Sequence, residues 1–301
     1  MTRKLAVAAI AAGDIQPHEE QLLNISERSA WQDNTHARVF DEVSMYPGYL
    51  MKKRFESFNE IRLLRKHEHK IKGDKFFEVG CATGELGRYV GRYLPRFRYT
   101  GFDISRPAID RAVEKYGPAR YRLLDGPISA FRDAHGTSDV VFCRDVVLHQ
   151  LDPYAFLDAL LGIAEHALVM RLRTRDVGDT VFDAEQACQY HYDRHWVPYI
   201  VLNTAELIER ISADPAVTEI VVSRRYEVLG GFNLRFLPKD LFYSETRSAE
   251  TALIVLKGPG ARQGVPTVTY EDRFDGRPDY SLMDRAHLKL LRMRHRKNAQ
   301  V

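Results

Sequence analysis

Cysteine is scarce in this sequence, and neither a strong charge bias nor a long apolar run is present. The cysteines are odd in number and far apart in the chain: Cys81, Cys143 and Cys188. This pattern excludes a disulfide framework and favours a reducing compartment. No stretch approaches the ~18–20 consecutive apolar residues of a membrane-spanning helix. Lys and Arg number 44 against 41 Asp and Glu, a net charge of +3 that is too small to indicate a nucleic-acid partner. We therefore expect a cytoplasmic protein with no membrane span.

What the sequence does contain is enough apolar material for a sizeable core. It has 301 residues, of which 45% are hydrophobic and 28% charged, as in ordinary globular proteins. One apolar run, Leu5 to Ala12, follows Arg3 and Lys4 and faintly resembles a short secretory signal. A short helix or strand that packs on the body of the protein is the favoured interpretation.

The chain changes character near Gly73. Before it, residues 14–70 are helical in pattern, and Phe55, Phe58, Ile61 and Leu64 lie on one stripe of a helix predicted over Phe55–His69. After it, short apolar strands alternate with amphipathic helices, which is typical of a doubly wound α/β domain. The strands are predicted at residues 76–79, 99–103, 121–124, 139–143, 167–172, 219–222 and 252–256.

This alternation predicts three parts of the chain. Residues 1–72 form a helical cap, residues 73–258 form a Rossmann-like domain with a seven-stranded, mostly parallel sheet and helices on both faces, and residues 259–301 form a tail. Two insertions, 176–203 and 229–250, are expected near the ligand site, since insertions in α/β folds cluster there. The tail is expected to be loose up to Asp279 and then helical, because Ser281 and Asp284 have the spacing of a capping box.

The most informative segment is Phe76–Gly87, FFEVGCATGELG. A strand runs into a glycine-rich turn and then a helix, a geometry that lets the backbone approach a bound nucleoside closely. The glycines are not spaced as G-x-G-x-x-G, and Glu78 would repel a pyrophosphate but attract a cation.

This segment resembles the first motif of class I S-adenosylmethionine-dependent methyltransferases, loosely acid-x-Gly-x-Gly-x-Gly. The resemblance extends over about residues 73–175, and Ala82 stands where the motif has its second glycine. It implies S-adenosylmethionine as the cofactor, with Glu78 near the methionine ammonium group. It also implies that Gly80, Ala82 and Gly84 allow the cofactor to approach the backbone.

Two acidic residues at strand ends extend this site. Asp103 lies 23 positions after the first glycine of the motif, where a carboxylate can accept both ribose hydroxyls. The resemblance implies that Asp125, followed by Gly126, binds the adenine amino group, with Ile104 or Ile128 covering the ring. Turn residues without a ligand are the alternative for both acids.

The segment Val140–Pro153 is similar to the fourth strand of small-molecule methyltransferases. It places Arg144 and Asp145 at the carboxyl end of a strand, where either can contact cofactor or acceptor. His149 follows this strand, and it can either line the pocket or have a purely structural role.

The first insertion is rich in aromatic and imidazole side chains within ten positions: Tyr190, His191, Tyr192, His195, Trp196 and Tyr199. This density favours a lid over an acceptor, although aromatics that simply pack on the core are the alternative. His191, His195 or His149 can act as a base for an oxygen acceptor. His191 and His195 could also share a helix face and bind a metal, but no third ligand is evident, so no metal site is predicted.

Together these features predict methyl transfer from S-adenosylmethionine to a small-molecule acceptor, preferably at a hydroxyl. The fourth-strand segment lacks the Asn/Asp-Pro-Pro-aromatic pattern expected for amino-group methylation of bases or glutamine. An RNA methyltransferase and a non-catalytic, cofactor-binding regulatory protein are the alternatives, and a homodimer is left open. The basic end, Lys289 to Lys297, is interpreted as a solvated terminus.

Overall fold

The computed structural model describes residues 28–191, 195–230, 235–260, 264–273 and 278–298. Its strands, in chain order, are β1 Lys75–Val79, β2 Arg98–Asp103, β3 Tyr121–Leu123, β4 Ser138–Arg144, β5 Ala164–Arg175, β6 Cys188–His191, β7 His195–Pro198, β8 Leu202–Asn203, β9 Val217–Tyr226, β10 Arg235–Phe236, β11 Ser248–Lys257 and β12 Thr267–Tyr270. The helices are α1 Ser29–Gln32, α2 Asn34–Phe40, α3 Gly48–Ser57, α4 Asn59–His67, α5 Glu85–Tyr93, α6 Arg106–Tyr116, α7 Phe131–His135, α8 Pro153–Ile163, α9 Thr204–Ser212 and α10 Leu282–Asn298. The apolar run Leu5–Ala12 lies outside the described residues.

The main sheet follows the order β12-β9-β11-β5-β4-β1-β2-β3, with β8 paired to β5. The seven strands predicted from sequence are β1 to β5, β9 and β11, and all are present. β11 is antiparallel to both of its neighbours, whereas β1 to β5 are parallel. The short strands β8 and β12 bring the sheet to nine among the described residues. The Rossmann-like, mostly parallel architecture is therefore confirmed.

Helices cover both faces of the sheet. Neighbouring residues on each central strand point to opposite faces, so each strand contributes apolar side chains to both cores. In β1, Phe76 packs in one core with α3, α4 and α5, and Phe77 packs in the other with α7 and α8. Two side chains cap helices: the Ser105 hydroxyl accepts from Ala108 N–H at the start of α6, and Asp152 accepts from Ala155 N–H in α8.

The helix predicted over Phe55–His69 is two helices. Phe58 has an extended conformation (φ −73°, ψ 136°), which ends α3 and begins α4. The Ser57 hydroxyl donates to the carbonyl of Arg54 and competes with the continuing helical bonds. The apolar stripe still exists, since Phe55, Ile61 and Leu64 are all buried, but it spans the break.

The two insertions meet in a second sheet of order β10-β6-β7. β6 and β7 are antiparallel, with His191 opposite His195, and β10 from the second insertion pairs with β6. The idea that His191 and His195 share a helix face is therefore wrong, since both lie in strands. Their spacing of four matches a helix turn, and alternation in so short a segment gave no contrary signal.

The tail is more ordered than the sequence predicts. Residues 267–270 form β12, which pairs in parallel with β9, so the expectation of a loose tail is wrong there. Its side chains are mostly exposed and none is fully buried, so the strand lacks the alternation that pattern analysis detects. The predicted capping box is present, with Ser281 N–H donating to Asp284 and Asp284 N–H donating to Ser281 Oγ. Within the described ranges, none of the helices combines the length and apolar character that a membrane crossing requires.

Candidate active site

The turn after β1 is shaped by glycines that cannot be replaced without strain. Gly80 has φ +85°, and its N–H and that of Cys81 donate to the carbonyl of Phe102. Gly84 has φ +86° at the start of α5. A Cβ on Gly80 would lie 2.3 Å from Val146 Cγ2, and one on Gly84 would lie 2.6 Å from the Tyr121 ring. The turn is therefore pressed closely against the strands around it.

Asp103 ties this turn to the loop after β2. Its two carboxylate oxygens accept the N–H groups of Ala82 and Ser105, each at 2.8 Å. Each oxygen keeps a further lone pair with which to accept a ligand hydroxyl. Burial raises the pKa of Asp103, although these backbone N–H groups oppose the rise. Ala82 has φ +45°, a left-handed conformation that suits the glycine usual in the motif.

Buried carboxyl groups form the base of the site. Glu78 accepts a hydrogen bond from the Tyr99 hydroxyl, and burial raises its pKa to about 8. Glu85 accepts from the Thr83 hydroxyl, and burial raises its pKa as well. With Asp103, these groups concentrate acidic side chains at the motif with no lysine or arginine hydrogen-bonded to them among the described contacts. Such a site fits a ligand that carries positive charge.

The outer edge of the site lies beneath α1. Arg28 donates to the carbonyl of Gly126 at 3.2 Å, and Gln32 donates to that of Ile104 at 3.5 Å. Asp125 is exposed, and a Cβ on Gly126 would meet no atom within 4 Å. This edge thus has open space next to Asp125, as an adenine site requires.

Arg144 and Asp145 lie in a network of charges at the ends of β4 and β5. Asp145 pairs with both Arg171 and Arg173. Burial alone would raise the pKa of Asp145, but these guanidinium groups hold it well below its usual range. Arg144 and Arg171 flank Glu60, whose carboxylate is fully buried, at 3.7 and 3.5 Å. The Asp145 carboxylate is thus fully paired with arginines of the protein itself. One Arg144 nitrogen, in contrast, has no hydrogen-bond partner.

His149 follows β4 and lies in an aromatic enclosure. Its Nδ1 is 2.7 Å from the carbonyl oxygen of Pro198. Because a carbonyl can only accept, Nδ1 carries the proton and Nε2 keeps its lone pair. The rings of Trp31 and Tyr199 lie 4.6 and 5.7 Å from the imidazole, centroid to centroid. Burial lowers the pKa of His149 to about 4, against the effect of the Pro198 bond.

A second histidine in this enclosure was not identified from the sequence. His36 in α2 packs edge-on against Trp31 at 5.1 Å. Burial and the neighbouring His149 lower its pKa to about 4. One weak signal was present in the sequence, since Trp31 is one of only two tryptophans. The long-range contact between the cap and His149 is set by tertiary packing and is invisible to local pattern.

The lid residues are only partly described. Trp196 and Tyr199 are buried, at 6% and 3% exposure. The backbones of Tyr190, His191 and His195 lie in strands, and their side chains are outside the described atoms, as is all of Tyr192. The roles assigned to these histidines therefore stay predictions.

One family model and several solved structures are similar to this chain. Residues 77–166 match the family model described as a methyltransferase domain, and no curated protein sequence matches significantly. Among solved structures, the chain is similar to the N-terminal domain of EvdMO1 with SAH and D-fucose, at 15% identity and a TM-score of 0.48, covering 66% of this chain and 82% of that one. It is also similar to magnesium protoporphyrin IX methyltransferase from Synechocystis PCC 6803 with bound SAM, at 14% identity and a TM-score of 0.45, covering 77% and 98%.

The matched segment contains the glycine turn, Asp103, Asp125 and the loop with His149. S-adenosylmethionine is a nucleoside whose sulfonium and ammonium groups are positively charged. The buried carboxyl groups and the closely packed turn fit that ligand, with Glu78 and Asp103 as the residues that would hold it. Residues 77–166 are therefore assigned to a methyltransferase domain, and S-adenosylmethionine is the cofactor that the residues of this domain fit.

Proposed function

We propose that this enzyme methylates a small molecule at a hydroxyl oxygen and that His149 removes the hydroxyl proton. One observation carries the proposal: His149 Nε2 has a free lone pair because Nδ1 donates to Pro198. The residue lies at the carboxyl edge of the sheet, where ligands bind in open α/β folds.

The low pKa of His149 suits this role. At about 4 it keeps the imidazole neutral throughout the neutral pH range. Bound S-adenosylmethionine supplies an activated methyl group, so little further activation is needed. The hydroxyl proton becomes strongly acidic as its oxygen bonds to carbon, and a weak base can then accept it. The protein mainly aligns the acceptor and excludes water.

The enclosure supports a small acceptor. Trp31, His149 and Tyr199 come from the cap, the loop after β4 and the first insertion. The Trp31 and Tyr199 rings lie 4.6 and 5.7 Å from the imidazole, so we infer that only a modest ligand would fit beside His149. The net charge of the chain is only +3, which gives no support for RNA as the acceptor. We propose that the insertion 176–203 acts as the lid of this pocket and that Glu78, Gly80, Ala82, Gly84, Asp103, Ile104, Asp125, Gly126, Arg144 and Asp145 line the cofactor site.

We also propose that the chain is divided into a cap of residues 1–72, a methyltransferase domain of residues 73–258 and a tail of residues 259–301. The three cysteines are buried and unpaired, as in a protein kept in the reducing cytoplasm. The proposed cofactor would be scarce outside the cell, which supports the same location.

The test incubates the protein with methyl-labelled S-adenosylmethionine and either a metabolite extract or total RNA. We expect label in low-molecular-weight products that resist mild base, as methyl ethers do. Label found only in RNA would contradict the proposal. Label found in neither, with S-adenosylhomocysteine still bound in calorimetry, would favour the non-catalytic alternative.

A further inference from the structure

Helix α10 carries an apolar stripe that faces away from the rest of the protein. Leu282 and Met283 are each 83% exposed, Leu290 is 59% exposed and Met293 is 53% exposed. At 3.6 residues per turn these four side chains fall within about 100° of arc. Exposed Ala286 lies in the same arc. Single exposed apolar residues are common, but a line of them along one helix indicates a contact surface.

The opposite side of α10 docks on the cap. Leu288 is buried, Asp284 pairs with Lys53 at 2.9 Å, and Tyr49 hydrogen-bonds His287 at 3.1 Å. The helix is therefore held with its apolar stripe outward, and the stripe is not needed for this docking.

Cations border the stripe on both sides. Arg285, Lys289 and Arg292 project along one margin and Arg294 along the other, and all four are exposed. The only acidic residue in the helix, Asp284, points into the docked face. An outward surface of this kind has apolar side chains at its centre and long cationic side chains at its edges.

We propose that α10 binds the surface of an anionic lipid bilayer, with its apolar stripe in the interface and its cations at the headgroups. This is the arrangement of an interfacial amphipathic helix, in which the cationic side chains reach out to the lipid phosphates. A second copy of the chain fits poorly, because a symmetric contact would bring the same cations together. RNA would leave Leu282, Met283, Leu290 and Met293 without a favourable contact.

The experiment measures sedimentation of the full chain with two kinds of vesicle. One kind is phosphatidylcholine alone, and the other contains about one third phosphatidylglycerol. We expect at least tenfold tighter binding to the anionic vesicles, weakening as salt is raised, because the attraction is partly electrostatic.

Two variants separate the contributions of the stripe and the cations. The first changes Leu282, Met283, Leu290 and Met293 to Gln, which keeps helix propensity. The second combines Lys289→Gln, Arg292→Gln and Arg294→Gln. Each should bind anionic vesicles at least tenfold more weakly, with unchanged melting temperature and S-adenosylhomocysteine affinity. Val265→Gln and Lys239→Gln, which are exposed elsewhere, serve as matched controls and should bind like the wild type.

Equal binding to both vesicle types, or no binding to either, would overturn the proposal. Unchanged binding by either α10 variant would overturn it as well. Binding to polyglutamate or to RNA without binding to anionic vesicles would assign the surface to that partner instead. These outcomes do not depend on the acceptor, so the proposed function can stand or fall separately.

Discussion

At the scale of single residues, Asp103 has two tasks, and both depend on its carboxylate. It holds the turn after β1 through Ala82 and the loop after β2 through Ser105, and we propose that it also accepts the ribose hydroxyls. Asp103→Ala should weaken S-adenosylhomocysteine binding by tenfold or more, roughly 1.5–3 kcal/mol for hydrogen bonds to a charged group. Calorimetry checks this, with exposed Asp133→Ala as the control. Unchanged affinity would remove the ribose assignment.

The backbone conformation of the motif makes a second prediction. Ala82 is left-handed, so Ala82→Gly should leave the free energy of unfolding unchanged or raise it by up to ~1 kcal/mol. Gly84→Ala should lower it by ~1–2 kcal/mol or more, because of the positive φ and the contact with the Tyr121 ring. Urea unfolding of both variants distinguishes them. Equal effects of the two changes would contradict the conformation assigned to this turn.

The two buried histidines predict a loss of stability in acid. The unfolded chain protonates His36 and His149 near pH 6.5, whereas the folded chain protonates them only near pH 4. The contribution of the two neutral histidines to the free energy of unfolding is therefore present above about pH 6.5. It is lost as the pH falls toward 4. At pH 5 the loss is roughly 2 kcal/mol per histidine.

The measurement is urea unfolding from pH 7.5 to 4.5. His36→Gln should reduce the slope of stability against pH relative to the wild type, while exposed His69→Gln, on the surface of the cap, should leave it unchanged. An identical slope in His36→Gln and the wild type would show that His36 is not held neutral in the folded protein.

At the scale of elements, the sequence predicted the central strands well because their apolar runs are buried on both faces. It failed where short-range pattern and tertiary structure disagree. Ser57 and Phe58 end a helix whose apolar stripe continues across the break. Strand β12 has mostly exposed side chains and is recognisable only from its pairing with β9.

If the insertion is a lid, changes in it should affect acceptor binding and turnover but not cofactor binding. If the insertion 176–203 covers the acceptor, His191→Ala, His195→Ala and Trp196→Ala should leave S-adenosylhomocysteine affinity nearly unchanged. Turnover or acceptor affinity should fall at least tenfold, about 1.4 kcal/mol. Calorimetry and steady-state kinetics provide the two readouts. If all three variants fail to fold, the insertion is part of the core and does not act as a lid. The burial of Trp196 is compatible with that outcome as well.

At the scale of the whole molecule, the cofactor half of the proposed site follows from the sequence and the acceptor half does not. Gly80, Gly84 and Asp103 lie within one continuous strand–turn–helix–strand segment, so local motif and spacing are sufficient to find them. The proposed acceptor enclosure joins Trp31 and His36 of the cap to His149 and Tyr199. The contact between Trp31 and His149 joins residues more than a hundred positions apart, and only the packed structure brings them together.

The central claim, that His149 is the base of a small-molecule methyltransferase, is tested most directly by comparing the wild type with His149→Gln. Both proteins are given labelled S-adenosylmethionine and the same metabolite extract, and both are titrated with S-adenosylhomocysteine. The account predicts that label enters small molecules with the wild type and that the variant transfers it roughly 10²–10⁴-fold more slowly, the usual contribution of general base catalysis, at equal cofactor affinity. Equal rates of transfer for the two proteins, or label that enters only RNA, would contradict it.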